Sequence, residues 1–256
     1  MWKDWGGIMC NLRGNKLSLQ NPAVFKLTTI SLSILFGLFA SLSLAQNDRA
    51  SVGFQVADTS QPRTLIVIAH PDPNSFNQAI QTHLVAALEA QNHQVRVRDL
   101  YGLEFDPVLS LDELKRYDSQ EGEVPADVKA EQDEILWADH LIFIYPTWWW
   151  SMPAVMKGYF DRVFLPGFAF SADEHGIKGL LAGKKAWIIQ TTGSDQVYIE
   201  ENGLDKMVKT PMGIGLFNFC GIEVVDHQKL AGVPFVTDKE REEMLVRLEG
   251  AVRENF

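Results

Sequence analysis

The stretch Thr64–Asn77, TLIVIAHPDPNSFN, decides the fold. TLIVIA is a short apolar, β-branched run that stops at His70, where prolines and small polar residues impose a loop. From Phe76 to Gln91 the apolar residues Ile80, Leu84, Ala87 and Leu88 recur at helical spacing, so the unit reads strand, loop, helix. The alternation continues outward. Gln94–Leu100 alternates Val95 and Val97 with Arg96 and Arg98, as a strand near a sheet edge does, and Tyr101–Glu123 reads as a long irregular insertion. Pro125 opens a helix that runs to Trp137. Leu141–Tyr145 is a buried strand, Pro153–Phe164 a helix, Lys185–Gln190 a strand, Glu200–Phe219 a glycine-interrupted helix, Ile222–Val225 a strand and Thr237–Arg253 a terminal helix. Five such alternations predict an α/β fold with a parallel sheet, helices on both faces and ligands beyond the carboxyl ends of the strands. The chemistry is therefore expected after Ala69, after Tyr145 and after Gln190.

The composition agrees with a globular enzyme-sized domain. Of 256 residues, 46% are hydrophobic and 22% charged, which closes a sizeable core and excludes a disordered chain. The formal charge is −10, and the positive charge collects at the front, where Lys3, Arg13, Lys16 and Lys26 face only Asp4. The acidic remainder repels phosphate backbones, which argues against a nucleic-acid partner. Cys10 and Cys220 are far apart and lack a Cys or His at ligand spacing, so neither a disulfide framework nor a metal site is expected.

Leu27–Ala45, LTTISLSILFGLFASLSLA, is uncharged, follows Lys26 and ends on Ser43-Leu44-Ala45, with small residues at both cleavage-site positions. It reads as a secretion signal, compact if translation starts at Val24, or as an uncleaved membrane anchor. We therefore divide the chain into a signal or anchor at 1–45, a linker at 46–62 and a folded domain at 63–256. The segment 24–45 argues for export or tethering on the periplasmic side.

Three loops carry the candidate chemistry. In the first, His70 to Asn77, Ser75 and Gln78 have capping-box spacing, and the helix N-terminus offers amides and a dipole end suited to phosphate. Ser75, Asn77 and His70 add side-chain donors; a capped helix without a ligand is the alternative. The loop lacks both glycine-rich nucleotide fingerprints. In the second, Tyr145-Pro-Thr-Trp-Trp-Trp-Ser-Met-Pro153, Trp148, Trp149 and Trp150 can wall a flat aromatic ring, although adjacent side chains cannot all face one ligand, and core or dimer packing is expected for one of them. The third, Thr191-Thr-Gly-Ser-Asp195, is small and polar, fit for close backbone approach, and Tyr198 follows as a phenol donor. Gly167–Phe170 reads as an apolar lid or as core. His83, His93, His140, His175 and His227 show no metal spacing, Cys220 reads as buried and inert, and Asp161-Arg162 as a local helix charge contact.

Together AHPDPNSFNQA, the spacing P-x-x-W-W-x-x-P-A-x-x-K-G-x-x-D-R-V and TTGS resemble the NAD(P)H:quinone reductases of flavodoxin-like fold, the DT-diaphorase group with its drug-activity-modulator and potassium-efflux ancillary relatives. The similarity runs from Arg63 to the C-terminus. It implies a three-layer sandwich with a five-stranded parallel sheet in the order 2-1-3-4-5, a homodimer, and a cytosolic setting. By this resemblance His70, Ser75, Phe76 and Asn77 hold the phosphates of a flavin, FAD or alternatively FMN. Pro146, Thr147, Trp148, Trp149 and Trp150 line its ring and ribityl chain, and Thr191, Thr192 and Gly193 meet its polar edge. Tyr198 looks like the family tyrosine that stabilises charge on the reduced flavin, and Phe170 is placed on the substrate side. The sequence departs from the eukaryotic members in lacking a further glycine in the third loop and the histidine that accompanies the tyrosine.

The expected reaction is a ping-pong, two-electron transfer in which NAD(P)H gives hydride to the flavin, leaves, and is replaced by a quinone or similar flat acceptor. Two other readings are a regulatory subunit docked on a membrane transporter, with no turnover of its own, and a one-electron flavodoxin-type carrier.

Overall fold

A computed structural model describes residues 61–256 other than 120 and 175. The expected signal or anchor, nearly all of the linker, Cys10 and His175 lie outside the described residues. The chain runs β1 (Arg63–Ile68), α1 (Phe76–Ala90), β2 (Gln94–Asp99), α2 (Leu111–Ser119), α3 (Ala126–Trp137), β3 (His140–Pro146) and α4 (Ala154–Val163). It continues with β4 (Phe170–Asp173), β5 (Gly176–Gly179), β6 (Lys185–Thr191), α5 (Gln196–Glu201), α6 (Leu204–Met212), a π-helical turn (Gly213–Asn218), β7 (Glu223–Leu230) and α7 (Asp238–Asn255). The main sheet has the order β2-β1-β3-β6-β7 with every pairing parallel. With the small β4-β5 hairpin set aside, this is the predicted 2-1-3-4-5 order.

The continuous apolar strands sort their side chains by parity. Leu65, Val67 and Ala69, Leu141 and Phe143, and Ala186 and Ile188 face one core with Val128 and Ile135 of α3, Met156 and Phe160 of α4, and Phe217 of the π-turn. Ile66 and Ile68, Ile142 and Ile144, and Trp187 and Ile189 face the other, with Ile80, Leu84 and Leu88 of α1 and Leu245, Leu248 and Val252 of α7. Strands buried on both faces need no polar alternation, which is why their runs are apolar throughout. The result is three layers, with all strand C-termini at one rim.

Four expectations needed correction. The Tyr101–Glu123 insertion holds α2, capped reciprocally: Ser110 Oγ accepts the Glu113 N–H at 3.2 Å and Glu113 Oε2 accepts the Ser110 N–H at 2.8 Å. Arg162 does not pair with Asp161, which binds Lys157 at 2.5 Å. Instead its buried guanidinium donates to Glu113 at 2.7 Å, to Asp127 at 2.7 Å and to the Asp106 carbonyl at 2.7 Å, mooring the insertion to α4. Gly158 lets the same two parts close up, since a Cβ there would stand 2.2 Å from the Pro107 carbonyl oxygen. The Glu200–Phe219 helix is three pieces, α5, α6 and the π-turn, broken at Gly203, whose φ is +63°. The last strand runs on to Leu230 rather than ending at Val225, because pairing with β6 carries the polar Asp226-His-Gln-Lys229 into the sheet.

Candidate functional site

The first, second and third loops meet at the C-terminal rim, joined by bonds from the sheet outward. Pro146 pairs with Thr191, and the ladder continues one step as the Thr147 N–H donates to the Thr191 carbonyl at 2.7 Å. The buried Asn77, in the first turn of α1, donates from Nδ2 to Thr191 Oγ1 at 3.0 Å. Thr191 therefore holds both neighbouring loops.

In the first loop His70 Nδ1 lies 3.1 Å from the Asp72 N–H and 3.2 Å from the Asp72 carbonyl oxygen, so the ring is held by its Nδ1 side and Nε2 is left without a partner among the described residues. The Ser75 N–H donates to the Asp72 carbonyl at 3.1 Å, and Ser75 Oγ accepts the Gln78 N–H at 3.3 Å. Phe76 and Asn77 open the helix, and their amides have no acceptor within it.

In the second loop Trp148 and Ser151 exchange backbone bonds of 2.9 and 3.0 Å around Trp149 and Trp150, whose φ angles are +50° and +58°. Two left-handed residues inside such a pair make a type I′ turn, a place usually taken by Asn-Gly. Trp149 is 99% exposed. Trp148 lies beside His70, with ring centroids 6.4 Å apart, and Trp150 is stacked with Tyr198 at 6.3 Å and 28°. Thr147 Oγ1 is buried with no hydrogen-bond partner among the described residues.

In the third loop the Thr192 N–H donates to the Leu230 carbonyl at 2.9 Å, and Thr192 Oγ1 accepts the Ser194 N–H at 3.2 Å. Gly193 is open on its Cβ side, the nearest atom being Pro234 Cγ at 3.8 Å. Asp195 caps α5 by accepting the Tyr198 N–H at 2.8 Å, and Tyr198 is half exposed.

A fourth loop, after β7, was not expected. The Gly232 N–H donates to the Ser194 carbonyl at 2.8 Å and the Val233 N–H to the Thr192 carbonyl at 3.0 Å. Arg241 donates to the carbonyls of Val233 and Val236 at 2.9 and 2.8 Å, so the loop is pinned while Phe235 stands 84% exposed. Gly193, Ser194, Asp195, Tyr198, Gly232, Phe235 and Val236 line a cleft of about 440 Å³. The sequence did carry a signal here, the turn formers Gly232 and Pro234 followed by an aromatic residue. Ending the strand at Val225 placed them away from the rim.

Phe170 is not brought to this cleft. It packs edge-on against Phe219 at 4.8 Å and lies near Tyr117 at 6.3 Å, part of the shell around the α3/α4 core. Two of the other histidines have partners away from the rim, His93 Nδ1 lying 2.9 Å from Thr64 Oγ1 and His227 Nε2 meeting Gln190 Oε1, while the buried Nδ1 of His140 has none among the described residues. Burial, with Lys209 adding to it, drives His227 down to about 4, and burial raises the Cys220 thiol to about 11. Among the described residues no group of three or more His, Cys, Asp or Glu is placed to hold a metal, and no helix is long and apolar enough to cross a membrane.

The family model of the flavodoxin-like fold matches residues 62–252. The chain belongs to the flavodoxin-like fold family. Within this flavodoxin-like family it is 37% identical to an uncharacterized NAD(P)H oxidoreductase of Haemophilus influenzae over 71% of this chain and 89% of that protein. It is 32% identical to NAD(P)H dehydrogenase [quinone] 1 of Cavia porcellus, over 72% of this chain and 73% of the relative. Among solved flavodoxin-like structures, the NAD(P)H:quinone oxidoreductase from Methanothermobacter marburgensis superposes with a TM-score of 0.69 at 31% identity, covering 75% of this chain and 96% of that one.

Proposed function

We propose that this chain is an NAD(P)H dehydrogenase (quinone) that uses a bound flavin to reduce a quinone or similar flat acceptor. The observation that carries the reading is the convergence of three strand-end loops on Thr191, with the ring pairs His70–Trp148 and Trp150–Tyr198 and the first amides of α1 in those loops. The names of the relatives, each an oxidoreductase, favour an enzyme over a transporter subunit.

The residues present suit a flavin nucleotide. Thr147 Oγ1 is a buried hydroxyl without a partner, Gly193 leaves its Cβ side open, and His70 Nε2 with the first amides of α1 forms an anion-binding end. His70, Ser75, Phe76 and Asn77 would hold phosphate. Pro146, Thr147, Trp148, Trp149 and Trp150 would flank the ring and its chain, and Thr191, Thr192 and Gly193 would face its polar edge. When bound, the flavin supplies the two-electron relay between donor and acceptor. The chain's own part is to stack flat rings against Trp150 and Tyr198, present the apolar ring of Phe235 in the same lining, and offer the Tyr198 hydroxyl as a proton donor at the acceptor oxygen. Donor and acceptor would use this cleft in turn, which is ping-pong behaviour, and the exposed Trp149 would be covered by a second copy in a homodimer. We favour FAD over FMN.

The test is titration of the purified protein with FAD and with FMN, followed by NAD(P)H oxidation with a soluble quinone. Flavin-fluorescence quenching by one of the two and parallel-line kinetics are expected. A protein that quenches neither flavin ends this reading.

A further inference from the structure

The cleft between the third and fourth loops has one charged side chain in its lining, Asp195. Its Oδ1 is taken by the Tyr198 N–H, and among the described residues no cation pairs with the carboxylate. Bases near this rim are engaged elsewhere: Arg241 is turned to the carbonyls of Val233 and Val236 and to Asp238, and Lys229 is bound to Asp205 at 2.5 Å. The pinned loop holds Phe235 out, 84% exposed, in the same lining, which therefore combines apolar and aromatic side chains with one anionic group.

We infer that Asp195 sets the acceptor specificity of this cleft, admitting flat aromatic acceptors that are neutral or cationic and rejecting those that carry a negative charge on the ring. The inference rests on the proposed reading of the cleft as the acceptor face. An apolar ring laid against Phe235 and Tyr198 gains from burial whatever its charge, whereas an acidic substituent on that ring enters the field of an unpaired carboxylate. The reduced nicotinamide of the donor is itself uncharged and separated from its phosphates by a ribose, so the same field discriminates least against the reacting end of the donor. Asp195 and Phe235 are both exposed to solvent, so the charge acts over a short range that added salt shortens further.

The test uses two acceptors of the same ring, a neutral naphthoquinone and its sulfonate. Their dissociation constants are measured by quenching of tryptophan emission, and their reduction by steady-state kinetics. Asp195→Asn keeps an N-cap for α5 while removing the charge, and Asp195→Ser does the same with a different cap. Glu89→Gln, on the exposed end of α1 remote from the rim, removes one charge from the molecule without touching the cleft. The preference for the neutral quinone is expected to fall about five-fold in either Asp195 variant, in binding and in kcat/KM alike. It should hold in Glu89→Gln and shrink in the wild type as salt is raised. A preference unchanged in both Asp195 variants, or reduced equally by Glu89→Gln, overturns the inference while quinone reduction stands. If neither naphthoquinone binds or is reduced by the wild type, the reading of the cleft itself fails, and the inference with it.

Discussion

Trp149 and Trp150 occupy backbone angles that bulky residues avoid, at a cost of roughly 1 kcal/mol each relative to residues suited to the turn. The double substitution Trp149→Asn, Trp150→Gly is therefore expected to stabilise the fold by about 1–2 kcal/mol in urea unfolding while weakening flavin binding in a titration. Equal losses in both measurements would show that the indoles serve packing alone. The Asn77 to Thr191 bond makes the opposite forecast. Asn77→Ala leaves a buried hydroxyl short of its partner and should cost about 1–3 kcal/mol. A cycle with Thr191→Val should return a coupling of about 1 kcal/mol, and additivity within error would mean that the two loops are held by something else.

Among the elements, the insertion carrying α2 depends most on a single side chain. Burial alone would raise Glu113, yet the bonds from Ser110 and Arg162 outweigh it and keep its carboxyl below the usual range. Arg162→Ala strands Glu113 without a cation and should cost about 3–5 kcal/mol, while Arg162→Met with Glu113→Leu should recover most of it. Failure of the double variant to recover stability would place the value in what it also removes, the Glu113 cap on the Ser110 N–H and the Arg162 bonds to Asp127 and the Asp106 carbonyl. This part of the molecule also marks where the sequence was hard to read. The strands β1, β3 and β6 were legible because burial on both faces leaves unbroken apolar runs, and the three strand-end loops followed from topology. α2 was missed because its apolar residues are few and partly exposed, although the Ser110 and Glu113 cap was present in the sequence. The end of β7 was missed because its polar residues find partners only in three dimensions: His227 on Gln190 and Lys229 on Asp205. The fourth wall of the cleft went with it.

The molecule as a whole should be least stable in acid, for two reasons of the same sign. Burial, reinforced by His93 and Lys185, lowers His140 to about 4 from 6.5, and His227 falls likewise. The folded state then binds fewer protons than the unfolded chain, so this stabilisation is present above about pH 6.5 and is lost as pH falls toward 4. Asp139 and Asp205, lowered first by their bonds to Arg63 and Lys229, lose theirs as pH falls through the carboxylate range. Cys220 works from the other side, raised from 9.0 to about 11, so its share is complete below pH 9 and fades above. Urea midpoints should climb from pH 4 to 7, stay level to about 9 and then decline, with a shallower acid limb in His140→Gln. A flat acid limb in the wild type would contradict the burial of these imidazoles. The sheet has a further consequence for how the molecule is made. No strand in it reaches its neighbour by a tight turn, so every ladder must wait for a helix to be traversed, and such distant pairings form slowly. The rim is stitched together only when β6 and β7 have docked, which means that a half-made chain has no half-made catalyst, and recovered turnover during refolding should track the last kinetic phase alone.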